Sequence, residues 1–85
     1  GGDRGGAGDF PGGLKIEVDN RPGSLAQVAA AIAEAESNID RVEYLDRDAN
    51  IAVMRFAIEV SDRRHLADVM RRVRRLAVVL GVQRM

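Results

Sequence analysis

Cysteine is absent from the 85 residues of this chain, and aromatic residues make up only 4% of them. The missing thiols exclude disulfide bonds, zinc sites built on thiolates and a cysteine nucleophile. No apolar run approaches the roughly 18 residues that a membrane-spanning helix needs, and residues 1–13 lack the apolar middle of a signal peptide. We therefore expect a cytoplasmic location without membrane contact.

The composition fits one small globular domain. Hydrophobic residues are 46% of the chain and charged residues 31%, which argues against general disorder. The formal net charge is zero, but residues 1–62 hold six basic and twelve acidic residues, whereas residues 63–85 hold seven arginines and one acidic residue, Asp68. This asymmetry indicates either a charged partner or ion pairs inside the domain.

Glycine is concentrated at the N-terminus. Residues 1–13 contain almost no aliphatic side chain, so they cannot bury enough surface to offset the entropy cost of ordering. We interpret residues 1–13 as a flexible linker or an added tail, and residues 14–85 as the folded domain. A linker before so small a domain indicates a piece from the end of a longer protein.

Residues 14–85 carry two kinds of periodicity. The strand pattern occurs in residues 14–18, 39–45, 51–60 and 78–85, and the uneven alternation of the second segment predicts a β-bulge. The helical pattern begins at Leu25 and ends near Ser37 and Asn38. It returns after Ser61 and Asp62, which offer an N-cap.

The predicted order is therefore βαββαβ. Each helix must connect parallel strands by a right-handed crossover, and two interleaved crossovers give a ferredoxin-like sandwich of the α+β class. Its four-stranded antiparallel sheet carries both helices on one face. The second and fourth strands lie at the edges, where pairing with another copy predicts a homodimer.

Two regions resemble a known family. The segment NRPGSL (residues 20–25), the alanine-rich helix and Ser37-Asn38-Ile39 resemble the ACT domain, a regulatory module that senses small molecules. The segments VSDRRHL (residues 60–66) and VMRRVRRL (residues 69–76), followed by Val79, Val82 and Arg84, resemble the C-terminal ACT domain of RelA/SpoT proteins. Those proteins synthesise and hydrolyse the alarmone (p)ppGpp. The resemblance covers residues 14–85.

The resemblance implies a regulatory domain that is not itself catalytic and needs no cofactor. The parent protein is expected to be a GTP pyrophosphokinase, a (p)ppGpp hydrolase or both, with its catalytic domains upstream of this chain. In the stringent response the domain would sense a ligand or partner and bias those domains.

The loop between the first strand and the first helix is the candidate ligand site. Pro22 and Gly23 leave backbone N–H groups without helical partners, and a helix N-terminus favours a carboxylate. The resemblance implies a free amino acid as ligand, with candidate residues Asp19, Asn20, Gly23, Ser24, Leu25, Asn38 and Ile39. The alternative is a plain helix-starting turn, and the charge of Asp19 would oppose a carboxylate.

The second helix carries a basic face opposite its apolar stripe, formed by Arg64, Arg71, Arg72 and Arg75. This face is either solvated and ion-paired or a contact for RNA, the ribosome or an acidic sister domain. The ribosome association of RelA/SpoT proteins favours the RNA version. An RNA-recognition motif shares the βαββαβ order, but this chain lacks the aromatic residues that stack on bases.

Other motifs have simpler explanations. Residues 46–50 imitate the start of an EF-hand loop, but Ile51 and Ala57 stand where glycine and glutamate are required, so we predict a hairpin turn. His65 is the only histidine, and we interpret it as a surface or capping residue rather than a ligand. No metal site and no catalytic residue is predicted.

Overall fold

The computed structural model describes residues 10–85. Its elements follow the predicted order: β1 (Phe10–Asp19), α1 (Ser24–Glu34), β2 (Asn38–Arg47), β3 (Ile51–Val60), α2 (Arg63–Arg74) and β4 (Val79–Arg84). Residues 1–9 of the predicted linker lie outside the residues that the structure describes. Residues 10–13 pair with β3, so β1 begins before the predicted Leu14. Within the described residues, no helix combines the length and apolar character needed to cross a membrane.

The four strands form one antiparallel sheet in the order β2-β3-β1-β4. The edge strands are therefore β2 and β4, as predicted. Alternate residues of the central strands, such as Ile16 and its cross-strand partner Met54, are fully buried beneath the helices. The architecture is the expected ferredoxin-like α+β sandwich.

The core lies between the sheet and the two helices. Strand residues such as Phe56 meet Val28 and Ile32 from α1 and Val69 and Val73 from α2, all of them buried. Each fully buried side chain of this kind contributes roughly 1.5–3 kcal/mol. The open face of the sheet and almost all of β2 stay outside this core.

The edge strands are irregular. Register shifts between Ile39 and Arg41 and between Tyr44 and Asp46 confirm the predicted bulge in β2. A further shift opposite β1 leaves Leu80 of β4 without a cross-strand partner. Such irregularities limit how far an edge can pair with another strand.

The helix α1 ends earlier than its sequence pattern predicts. The chain leaves the helix because Glu36 adopts a left-handed backbone conformation with φ of 62°. The N–H of Ser37 donates to the carbonyl of Ile32 (3.2 Å) and that of Glu36 to Ala33 (2.9 Å), which is the Schellman arrangement. The predicted end near Ser37 and Asn38 is wrong because glutamate here occupies a position that usually holds glycine.

The start of α2 agrees with the sequence. Asp62 is the N-cap, and its carboxylate accepts a hydrogen bond of 2.8 Å from the backbone N–H of His65. The cap satisfies one of the amide groups that a helix leaves free at its first turn.

Candidate functional site

The loop between β1 and α1 is a tight turn closed by its own hydrogen bonds. The N–H of Ser24 donates to the carbonyl of Arg21 (3.1 Å), and the Ser24 hydroxyl donates to the carbonyl of Asp19 (2.7 Å). Gly23 has φ of 88°, which L-amino acids with a Cβ adopt only with strain. The buried Ser24 hydroxyl is thus used to hold the loop.

The first turn of α1 carries no cap. Gly23 is the N-cap residue and offers no side chain, and the first intrahelical bond runs from Gln27 N–H to the Gly23 carbonyl (2.9 Å). Within residues 10–85, no acceptor takes the amide hydrogens of Leu25 and Ala26. These two N–H groups and the helix dipole together favour a negatively charged group at this point.

An open cleft of about 720 Å³ lies against this helix end. Residues 20–26 form one wall, and Tyr44 of β2 forms part of the opposite side. Val18, Ala52 and Met54 line the cleft and are almost fully buried, so its floor is apolar. The arrangement suits a small molecule that combines an anionic group with an apolar one.

Asn20 joins the loop to the hairpin between β2 and β3. Its backbone N–H donates to the carbonyl of Asn50 (2.9 Å), and its side-chain amide donates to the carbonyl of Asp48. The Asp48 carboxylate in turn accepts the N–H groups of Asn50 and Ile51, both at 2.8 Å. These two backbone hydrogen bonds, from Ile51 and then Asn50, hold the pKa of Asp48 below its ordinary value.

Tyr44 and Met54 belong to the cleft but were missed by sequence reasoning. Tyr44 is 45% exposed, and the guanidinium of Arg47 lies 4.2 Å from the centre of its ring, which places a positive charge beside the cleft. The alternation of β3 marks Met54 only as a core residue. Strand register is the signal that brings both side chains to the loop, because Tyr44 is paired with Met54.

The predicted ligand residues divide into two groups. Asn20, Gly23, Ser24 and Leu25 line the cleft, and Asp19 contributes its backbone carbonyl to the loop.

The second group, Asn38 and Ile39, lies at the far end of β2. Their partners are Glu59 and Ile58, whereas the cleft end of the sheet is marked by the pair of Asp19 and Ile51. Within one copy of the chain, the structure therefore does not bring Asn38 and Ile39 into the cleft.

The predicted basic face on α2 is exposed at all four positions, Arg64, Arg71, Arg72 and Arg75. Arg71 and Arg72 both bond the carboxylate of Asp68, at 3.3 and 3.1 Å. No such ion pair joins Arg64 or Arg75 to a carboxylate within residues 10–85.

Asp68 partly neutralises this face. Partial removal from water acts to raise the pKa of Asp68, but the hydrogen bonds and charges of Arg72 and Arg71 outweigh that effect and lower it. Arg74 has a different role, because its guanidinium donates to the carbonyl of Val82 (3.3 Å) and ties α2 to β4.

Comparison with known proteins confirms the resemblance. The family model of the ACT domain matches residues 6–84. The guanosine-3′,5′-bis(diphosphate) 3′-pyrophosphohydrolase of Vibrio cholerae is 34% identical over 71 residues, covering 84% of this chain and 10% of the relative. The bifunctional (p)ppGpp synthase/hydrolase SpoT of Escherichia coli gives the same identity and coverage. This chain thus spans about a tenth of the length of these relatives.

A solved structure agrees with these relatives. The crystal structure of the ACT domain from the GTP pyrophosphokinase of Chlorobium tepidum superposes with a TM-score of 0.77 and 25% sequence identity. The match covers 91% of this chain and 99% of that domain. The fold and the length of the two domains therefore correspond.

Proposed function

Because the chain belongs to the ACT domain family, we propose that it is a non-catalytic regulatory domain whose β1–α1 cleft binds a free amino acid. Binding would bias the upstream catalytic domains of a cytoplasmic (p)ppGpp synthetase/hydrolase in the stringent response. A ligand can do so only by binding one state of the whole protein more tightly than the other.

The uncapped start of α1 carries this proposal. The unpaired N–H groups of Leu25 and Ala26 suit a carboxylate, and the apolar floor under them suits an aliphatic side chain. The side chain of Arg21 and the charge of Arg47 add to the positive potential at the rim.

An amide-resolved NMR titration with the branched-chain amino acids, and then with the other amino acids, tests the proposal. We expect saturable shifts at Gly23, Leu25 and Ala26. The amide of Asn38 serves as a distant reporter, whose response would indicate that a second copy brings this end of β2 to the cleft. A spectrum that stays unchanged up to millimolar ligand would contradict amino-acid binding by the domain.

The basic face of α2 supports a second candidate, contact with RNA. This candidate is supported by the exposure of Arg64 and Arg75, neither of which forms a salt bridge with a carboxylate of residues 10–85. Affinity for an RNA oligonucleotide should then fall with salt, and each arginine replaced by glutamine should reduce the slope of log K against log [salt] by roughly 0.7–0.9. Replacing Arg71 and Arg72 should matter less, because Asp68 already opposes their charge.

A dimer is the third element of the proposal, and we assign it to the edge of β2. Val42, Tyr44 and Leu45 make this strand the part of the described chain richest in exposed large hydrophobic residues. Antiparallel pairing of two copies about Val42 sets Arg41 opposite Glu43 of the second copy, twice. Glu43 lies 3.8 Å from Arg55 within its own sheet, so the pairs would extend an existing ion pair.

A further inference from the structure

His65 joins the two helices through both nitrogens of its ring. Its Nδ1 accepts a hydrogen bond of 2.9 Å from the backbone N–H of Ser61, just before α2. Its Nε2 lies 2.6 Å from the carbonyl oxygen of Ala35, the residue that ends α1. One half-buried imidazole therefore satisfies a carbonyl at the end of one helix and an amide at the start of the other.

Only one form of the imidazole can make both bonds. Because Nδ1 accepts from Ser61, it carries no proton, and the proton must be on Nε2, which donates to Ala35. Protonation at Nδ1 would set an N–H group against the N–H of Ser61. The ring can become a cation only by giving up the Ser61 hydrogen bond.

Charged groups surround this position from both helices. Glu34 and Glu36 at the end of α1, with Asp68 and Arg72 of α2, line a polar cleft of about 390 Å³ next to the ring. The N-cap carboxylate of Asp62 accepts the backbone N–H of His65 itself, and the guanidinium of Arg64 belongs to the adjacent residue. The carboxylates favour a positive ring and the arginines oppose it. The amide of Ser61 opposes protonation at one specific atom, Nδ1.

We infer that His65 is a proton-sensitive joint between α1 and α2. The neutral ring fixes the end of α1 to the start of α2, and protonation of Nδ1 releases Ser61 and loosens this connection. The joint is closed when the ring is neutral and opens when Nδ1 takes up a proton, because the Ser61 hydrogen bond is then lost.

The His65 joint lies between the β1–α1 cleft and the basic face of α2. The helix α1 begins at the ligand cleft with Ser24 and reaches His65 at its other end, about 16 Å away for its length. The basic face begins on α2 directly beside the ring. The inference needs no ligand, so it stands or falls separately from amino-acid binding.

NMR of the uniformly labelled chain tests the joint directly. Long-range ¹H–¹⁵N spectra at alkaline pH should find the proton of His65 on Nε2. As the ring is protonated, the amide signals of Ser61 and Glu36 should shift with the same midpoint as the ring. Hydrogen exchange at Ser61, corrected for its intrinsic pH dependence, should accelerate about five- to tenfold.

Two variants separate the joint from ordinary helix capping. His65→Asn retains an oxygen that can accept from Ser61 but cannot be protonated at neutral or mildly acidic pH, so the Ser61 signal should no longer follow pH there. Asp62→Ala removes the N-cap and leaves the imidazole, so the pH response of Ser61 should persist. A proton found on Nδ1, or a ring that titrates while Ser61 and Glu36 stay unchanged, would overturn the inference.

Discussion

The side-chain amide of Asn20 donates a hydrogen bond to the backbone carbonyl of Asp48, which fixes the β1–α1 loop to the hairpin between β2 and β3. The backbone bond from Asn20 to Asn50, at 2.9 Å, adds to this attachment. The loop and the side of the cleft that carries Tyr44 are consequently held at a set distance. A residue singled out as a possible ligand contact thus acts as a brace for the site.

Replacing Asn20 should weaken the fold and the site together. Asn20→Ala removes the side-chain bond and keeps the backbone one, so the free energy of unfolding should fall by ~1 kcal/mol. Urea denaturation measures this change. Asn38→Ala is the matched control, because within residues 10–85 the exposed side-chain amide of Asn38 bonds the carboxylate of Asp40 alone, and it should change stability by less than about 0.5 kcal/mol. Equal effects of the two variants would contradict the bracing role.

Two glycines allow the effect of a positive φ to be separated from the effect of steric room for a Cβ. A Cβ at Gly23 or at Gly81 would meet no atom within 4 Å, but only Gly23 has a positive φ, 88°. Gly23→Ala should therefore lower the free energy of unfolding by roughly 1–2 kcal/mol through backbone strain. Gly81→Ala should leave it unchanged or raise it slightly. Thermal unfolding of both variants compares them, and equal losses would show that φ is not the cause.

The left-handed residue at the end of α1 predicts a stabilising substitution. Glu36 has φ of 62° in a Schellman arrangement that glycine adopts without strain. Glu36→Gly should raise the free energy of unfolding by ~0.5–1 kcal/mol, measured by urea denaturation. Glu34→Gly, at the last residue of α1, should lower it, by less than the ~1 kcal/mol that glycine costs in a helix interior. A loss of stability in Glu36→Gly would mean that the carboxylate of Glu36 makes a contribution of its own.

Charge reversal tests the proposed β2 dimer. Arg41→Glu alone, or Glu43→Arg alone, replaces two attractive cross-strand pairs by two repulsive ones and should weaken dimerisation about tenfold. The double variant restores opposite charges and should recover most of the affinity. Analytical ultracentrifugation measures all four proteins. Identical association of the four, or a monomer in every case, would rule out this pairing.

Protonation of Asp48 at low pH should destabilise the hairpin between β2 and β3. Its pKa in the folded state lies below its ordinary value near 3.8, so its contribution to stability is present above that value and is lost as the pH falls through the folded pKa. The ¹³C carboxyl signal of Asp48 should titrate below 3.8, together with the amides of Asn50 and Ile51. In Asp48→Asn these two amides should keep their positions, because the side-chain oxygen still accepts without titrating. A titration of Asp48 above 3.8 would contradict the predicted direction.

Sequence reasoning succeeded where local pattern and global fold agree. The alternation of β3 predicted its bounds as the structure has them, Ile51–Val60, and the Asp62 cap was correctly placed before α2. It failed at the end of α1, because alanine-rich periodicity continues in the sequence while Glu36 turns out of the helix. No propensity rule predicts glutamate at a left-handed position.

The site was only half predictable for a different reason. The loop residues are contiguous in sequence, so the turn motif identifies them together. Tyr44 and Met54 join them only through the register of β2 with β3, which two bulges shift. Periodicity cannot count residues across a bulge, so the sequence alone could not bring Tyr44 and Met54 to the loop. Asn38 and Ile39 were implied by the family resemblance, and within one copy of the chain they lie at the other end of β2.

Substitution of Ala26 tests most directly whether an amino-acid carboxylate binds at the start of α1. Ala26 lies in the first turn of that helix and is an exposed residue of the cleft. Ala26→Glu places a carboxylate near the unpaired amides, where the helix dipole stabilises it, so the fold should remain intact or gain ~0.3–1 kcal/mol. The same charge should repel an amino-acid carboxylate. Ala26→Gln is the uncharged control of the same size.

Calorimetric titration with the branched-chain amino acids compares the unsubstituted chain with both variants. We predict binding that survives in Ala26→Gln and weakens at least about tenfold in Ala26→Glu. Equal affinities in the two variants, or no binding by any of the three proteins, would contradict an amino-acid carboxylate at the start of α1.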